Sequence, residues 1–267
     1  VSGLSLDRYL PRESPIHALD ARVKFVVTIA FILAVSLLPV GSFAAIGIAW
    51  GAVAILSGTA KLGPFRPARN AFFALPFVLA ALPLVFTRPG EELLTLPFGL
   101  FTLRATLEGL IAFLTIALKS WVAVQAALLL AYTTPFHDLI DALRALRVPG
   151  IFVTTVSFMY RYLAVLSDEA SRMLRARAAR SGSRGGRSGG TLRWRATVAG
   201  RIVGALFIRA YERSERVYQA MLARGFEGTI RPRTARALHR AEWAALAIAV
   251  LLLAAFETAA QLWIPAA

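Results

Sequence analysis

Along this chain, long apolar runs alternate with short polar ones, and the pattern changes only in the last third. From Phe25 to Ala60 there is no charged side chain. About 20 apolar residues cross a bilayer, so this stretch holds two crossings. The uncharged "PVGS" between them reads as a hairpin turn, which predicts spans at 24–39 and 42–60. A third apolar run covers 70–87 and contains Pro76 and Pro83. Proline lacks the amide donor and clashes with the preceding turn, so this segment is expected to be bent or broken. The mixed-charge "RPGEELLTLPFG" that follows reads as an external loop. A fourth run covers 105–132 with Lys119 in its middle, and a fifth covers 243–264. Trp243 and Trp263 sit at the ends of the fifth, about 30 Å apart along a helix, which suits two indoles at opposite membrane interfaces.

Between the fourth and fifth runs the periodicity becomes amphipathic. In "FHDLIDALRALRVPG", Phe136, Leu139, Ile140, Leu143 and Leu146 share one helical side, and Asp138, Asp141, Arg144 and Arg147 fill the rest. Thr134-Pro135 fits a helix start and Pro149-Gly150 a stop. This helix is too short and too charged to span, and is expected at an interface or under other helices. Residues 151–180 read as one long helix, apolar as far as Tyr160 and basic from Arg172. The pattern leaves open whether 151–167 enters the membrane. "SGSRGGRSGG" (181–190) carries five glycines and reads as a flexible linker. Another helix follows, from Trp194 or Arg201 to Arg224. The expected organisation is a polar leader at 1–24, four spans within 24–132, a helical insert at 133–241 and a last span within 242–264. The fold class is all-α, a polytopic membrane protein with about five transmembrane helices.

Composition supports this class and adds a direction. Hydrophobic residues make up 57% of the chain, and the mean hydropathy is +0.62. Soluble helices need a polar face and do not reach such values. The net charge is +15. Between Arg172 and Arg240 lie 17 of the 30 basic residues, against three acids, Glu212, Glu215 and Glu227. Basic excess beside spans marks the cytoplasmic side, which places the insert there, with Lys61, Arg66, Arg69 and the leader. The N-terminus is therefore expected to be cytoplasmic, and the leader is too polar for a secretory signal. A basic block also suits nucleic acid, anionic lipid or an acidic protein.

Catalytic chemistry finds little to use. No cysteine is present, which removes disulfides and thiolate sites. The glycine-rich linker lacks the Gly-Lys-Ser/Thr of a phosphate-binding loop. It also lacks the interleaved aromatics of an RNA-binding segment, with only Trp194 nearby. His17, His137 and His239 are too scattered to converge on a metal. No catalytic residue and no metal ligand is assigned. Lys119 has Glu108 eleven residues before it, about 16 Å along a helix and beyond direct pairing. It fits an inward structural partner, a break in the fourth span or a transport path.

Two helix endings carry a repeated statement. "MLRARAARS" ends in Ala179-Arg180-Ser181, and "MLARG" ends in Ala223-Arg224-Gly225. Before the second ending, Val217, Tyr218, Met221 and Leu222 form an apolar strip beside a basic strip of Arg209, Arg213 and Arg216. Glu212 stands four residues before Arg216, within pairing reach. A cation near a helix C-terminus followed by glycine has an ordinary explanation in the dipole and the cap. Its repetition points further: two guanidinium forks on two tips suit a partner with two equivalent pockets, such as a dimer.

On these motifs the chain resembles the transmembrane T component of energy-coupling factor transporters, within the ATP-binding cassette superfamily. The likeness extends to "LDARVK" (19–24), "TTPFHDLIDALRALRVP" (133–149) and "RAYERSERVYQAMLARGFEG" (209–228), the last being closest to the cobalt/nickel subgroup. Ser181 in the first motif and the strongly basic linker are the departures. The resemblance implies a scaffold in a bacterial plasma membrane, with Arg180 and Arg224 each reaching a groove on one of two ATPase subunits, usually a homodimer in that subgroup. It implies a separate membrane-embedded subunit that holds the metal ion, so that ATP and metal bind partners and this chain carries no cofactor. No nucleic-acid partner is expected. The rivals are a stand-alone channel or carrier built on Lys119 and the third apolar run, and a membrane-tethered nucleic-acid binder using the basic insert.

Overall fold

The computed structural model describes residues 8–63, 65–72, 75–98, 101–180, 191–228 and 239–263. These fall into two compact units, one holding 8–142 with 239–263 and the other holding 143–228. The larger unit opens with a short helix α1 (Pro15–Ala18), followed by α2 (Ala21–Leu37) and α3 (Phe43–Thr59). Asp20 caps α2, its carboxylate accepting from the Arg22 amide at 2.8 Å. The first two apolar runs thus form helices of 17 residues each.

The third run forms no continuous helix. It breaks into α4 (Arg66–Ala71), α5 (Leu75–Val78), a 3-10 turn at Leu79–Ala81 and α6 (Leu84–Thr87). The segment after it departs from the expected loop. Glu92–Phe98 (β1) and Phe101–Thr106 (β2) pair as an antiparallel hairpin, in register from Glu92 opposite Thr106 to Phe98 opposite Phe101, with an irregularity between Glu92 and Leu94. Leu94, Thr95 and Leu96 alternate apolar and polar, the two-residue period of a strand.

Helix α7 (Leu107–Thr133) starts two residues later than the fourth run predicted, because Thr106 caps it through a bond from the Gly109 amide. It is the centre of this unit: α2, α3, α4 and α6 all pack on it, and α11 (Arg240–Trp263) packs on α2. The core joins Val35, Ala45, Ile46, Ala49, Val53, Val122 and Ala126. Alanines at these crossings let backbones approach closely, which is how helices gain packing energy where lipid competes for apolar contact. Trp50 and Trp121 stack at 6.2 Å between ring centres, and the Trp121 indole N–H donates to the Ala68 carbonyl.

The α2–α3 turn is tied to α7. The Gly41 amide, at φ +85°, donates to Thr115 Oγ1 at 3.1 Å. The Lys119 ammonium donates to the Ser36 carbonyl at 3.3 Å and to the Leu38 carbonyl. Carbonyls in the last turn of a helix have no partner within it, so Lys119 closes the end of α2.

The smaller unit contains two long helices, α9 (Gly150–Arg180) and α10 (Leu192–Leu222). Helix α8 (Phe136–Ala145) precedes them and ends with Arg147 at φ +63°, the Val148 amide reaching back to the Leu143 carbonyl before Pro149. No side chain of α10 is buried, and in α9 only Val153 and Thr154 are. Among the described residues, α7, α9 and α11 are long and apolar enough to cross a membrane, and α3 is apolar but shorter. Helix α9, which the pattern left open, is therefore one of the candidate spans. The protein is an all-α polytopic membrane protein carrying one short β-hairpin.

Candidate functional site

The end of α10 is built by its own backbone. The Gly225 amide donates to the Leu222 carbonyl at 2.9 Å, and the Phe226 amide to the Met221 carbonyl at 3.0 Å. Gly225 lies at φ +79° with open space around it. This is a Schellman closure, and it needs a left-handed residue that glycine supplies without strain. The closure leaves Ala223 and Arg224 exposed on a fixed tip. At the other ending, Ala179 and Arg180 are exposed on the last turn of α9. Ser181 and the linker 181–190 lie outside the described residues.

Cross-helix contacts set the sense of the pair. Arg209 donates to Glu169 at 2.5 Å, and the Arg177 guanidinium sits 5.6 Å from the centre of the Trp194 ring. Moving forward along α9 therefore means moving backward along α10, so the two run antiparallel. Arg180 shares a crevice with Val198 and Arg201, near the start of α10, whereas Arg224 stands beyond its far end. Some 26 residues of helix separate these positions, roughly 40 Å at 1.5 Å per residue. The two arginines thus occupy opposite ends of one rod pair.

The strips expected on α10 are divided between faces. Arg213, Val217 and Met221 fall at i, i+4 and i+8 on the half-buried side. Arg209 and Arg216 are exposed, and Arg209 is held by Glu169 of α9, which also pairs with Arg172 at 2.5 Å. Tyr218 and Leu222, 47% and 44% exposed, extend an outward stripe begun by Phe207 and Tyr211. Sequence reasoning passed over Glu169, although it follows the apolar half of α9 directly and precedes the basic run. A carboxylate at such a boundary was the available signal.

The other candidates resolve locally. The His17 ring bonds Ser14 Oγ at 2.7 Å and the Leu10 carbonyl at 3.1 Å, with Tyr9 edge-on at 6.0 Å. The Lys119 ammonium is engaged by the end of α2 as described. Among the described residues no group of three His, Asp or Glu side chains is arranged to hold a metal ion.

Comparison with known proteins places this architecture. The family model for the cobalt transport protein CbiQ matches residues 12–236, most of the chain. This chain belongs to the cobalt transport protein family. It is 31% identical to the cobalt transport protein CbiQ of Rhodobacter capsulatus over 179 residues, covering 67% of this chain and 68% of that protein. The energy-coupling factor transporter transmembrane protein EcfT of Bacillus selenitireducens is 26% identical over 270 residues, 97% of each chain. An uncharacterized protein of Methanocaldococcus jannaschii, MJ1571, is 31% identical over 155 residues, 57% of this chain, which spans about half (51%) of that protein. These relatives extend through both units, so the family likeness is not confined to the α10 ending.

Proposed function

We propose that this chain is the transmembrane coupling subunit of an energy-coupling factor importer that takes up cobalt ions. In this reading two ATPase subunits, a homodimer, engage the exposed tips at Arg180 and Arg224. A separate membrane-embedded subunit binds the ion, and ATP-driven movement of the ATPases passes through α9 and α10 to it. ATP hydrolysis and metal binding belong to those partners. The complex sits in a bacterial plasma membrane with the N-terminus of this chain and both arginines on the cytoplasmic side.

The observation that carries the reading is the pair of exposed guanidinium tips at opposite ends of an antiparallel rod pair, in a chain of this family. A homodimer presents two like grooves well apart, which a pair of adjacent tips could not reach together. Each fork can accept a carboxylate or backbone carbonyls in fixed geometry. The outward stripe of Phe207, Tyr211, Tyr218 and Leu222 adds apolar area for a partner to cover.

Arg224→Glu tests the proposal by reversing charge on one tip. ATPase recovery with the tagged chain from detergent extract is expected to fall more than tenfold, and cobalt uptake in cells to stop. Normal recovery together with normal uptake would overturn it. A stand-alone carrier predicts instead that the purified chain alone moves cobalt into liposomes. Lys119, already bonded to the end of α2, gives that reading no support.

A further inference from the structure

The larger unit holds a slot of ≈ 470 Å³, within the size range of pockets that enclose a small ligand. Helices α2 and α7 pack together as its floor. Helix α11 packs on α2 and α3 packs on α7, so these two form its walls. Val23, Val27 and Phe31, at i, i+4 and i+8, follow one another along the floor. Ile48 and Leu252 line the slot and are also exposed, which leaves it open to the surroundings.

The slot has a direction. Phe31 and Phe256 close one end, packed against the core around Val35 and Ala260. The other end holds Lys24, Thr133 and the first turns of α11, where Trp243 is exposed. From Ala245 to Phe256 the α11 wall rises eleven residues, about 16 Å. That length matches one leaflet, half of a hydrocarbon core about 30 Å thick. An exposed indole suits the interface at the Lys24 end.

Among the described residues that line the slot, Lys24 is the one charged side chain. Its ammonium donates to the Thr133 carbonyl at 3.1 Å and to the His17 carbonyl at 3.5 Å. An ammonium has three N–H donors, so one remains. Among the described residues no carboxylate is ion-paired with Lys24; Asp20 is taken by Arg22, and Asp20 and Asp138 act on Lys24 only through space. A wall that is apolar for the depth of a leaflet and cationic at its rim complements an amphiphile with an anionic head. Lipid phosphates stand at that level throughout a bilayer, whereas an acidic side chain on a membrane-embedded partner helix is rare.

We propose that this slot seats an acyl chain of one anionic phospholipid, with Lys24 giving its remaining N–H to the headgroup phosphate. The bound lipid fills the space between α3 and α11 that the chain's own side chains leave open. The inference rests on the larger unit alone, so it stands or falls separately from ATPase docking at Arg180 and Arg224.

The test uses the full purified chain in native mass spectrometry, titrated with phosphatidylglycerol, with phosphatidylcholine of the same acyl chains, and with inorganic phosphate. One phosphatidylglycerol is expected to be held about fivefold more tightly than phosphatidylcholine, one cation's share of headgroup attraction. Lys24→Gln should erase that preference, and Lys24→Arg, which keeps the charge, should preserve it. Ala52→Phe, at an exposed position on the α3 wall, fills the slot and should weaken retention of both lipids more than tenfold. Should Lys24→Gln fail to fold, as read by circular dichroism, Ala52→Phe carries the test, since it leaves Lys24 in place. Equal retention of both lipids by the wild type, a preference that survives Lys24→Gln, or unchanged retention in Ala52→Phe would overturn the proposal. Phosphatidylglycerol displaced by inorganic phosphate at equal concentration would mean a headgroup site with no chain seat, and would overturn it too. Loss of a co-purifying membrane subunit in Ala52→Phe with lipid retention unchanged would give the slot to a partner helix instead.

Discussion

The two units of this protein are held together by different physics. Around α7, small side chains interlock, and several polar groups bond within the unit: Lys119 and Thr115 tie down the α2–α3 turn, and Trp121 bonds the Ala68 carbonyl. Along α9 and α10 almost every side chain reaches the surface, and the cross-helix bonds are an exposed ion pair and a cation–π contact. Exposed pairs of that kind contribute little to stability. The first unit is specified from within. The second keeps its apolar and basic surface exposed, as the coupling role proposed for it requires.

Substitutions sharpen that contrast when ordered by size. Ala49→Leu forces extra volume into the crossing where Ala49 is 2% exposed. It is expected to cost about 1–3 kcal/mol by thermal unfolding in detergent, since overpacked cores cannot relax freely. Phe207→Ala, on a side chain 70% exposed, should leave the same midpoint unchanged while reducing partner recovery. Equal losses at the two positions would erase the distinction. Lys119→Met removes both bonds to the end of α2 and should destabilise by about 1–2 kcal/mol. Cobalt uptake by the assembled complex should persist in proportion to folded protein. Uptake abolished at full stability would instead make Lys119 part of a pathway. The smallest effect is expected at the α10 tip. Gly225→Ala meets no neighbour, so its cost is the left-handed backbone alone, about 1 kcal/mol. Amide exchange at Gly225 and Phe226 positions should speed up about fivefold, with the global midpoint unmoved.

Much of this was legible in the chain because apolar length and charge are one-dimensional properties. The helices over the first two runs, the break at Pro76 and Pro83, the long helix to Arg180 and the glycine closure after Arg224 all follow from local rules. The β-hairpin was not, because "TLPFG" reads equally as a turn-rich loop until a second strand pairs with it. The role of Lys119 was not either, since its partners lie more than 80 residues away in sequence. For the arginine tips, the chain displayed the motif but not its direction. Only the contacts Glu169–Arg209 and Arg177–Trp194 reveal that the tips point away from each other. Burial, too, sets Arg213 apart from Arg209 and Arg216, three residues that spacing alone had placed in one strip.

The stacked indoles of Trp50 and Trp121, on α3 and α7, have one further consequence. Two such chromophores 6.2 Å apart, with ring planes inclined by 19°, share their electronic excitation. Their signature in circular dichroism is a paired band of opposite signs that vanishes when either ring turns away. The protein therefore carries its own optical gauge of the α3–α7 joint, readable without a label while partners bind or are removed.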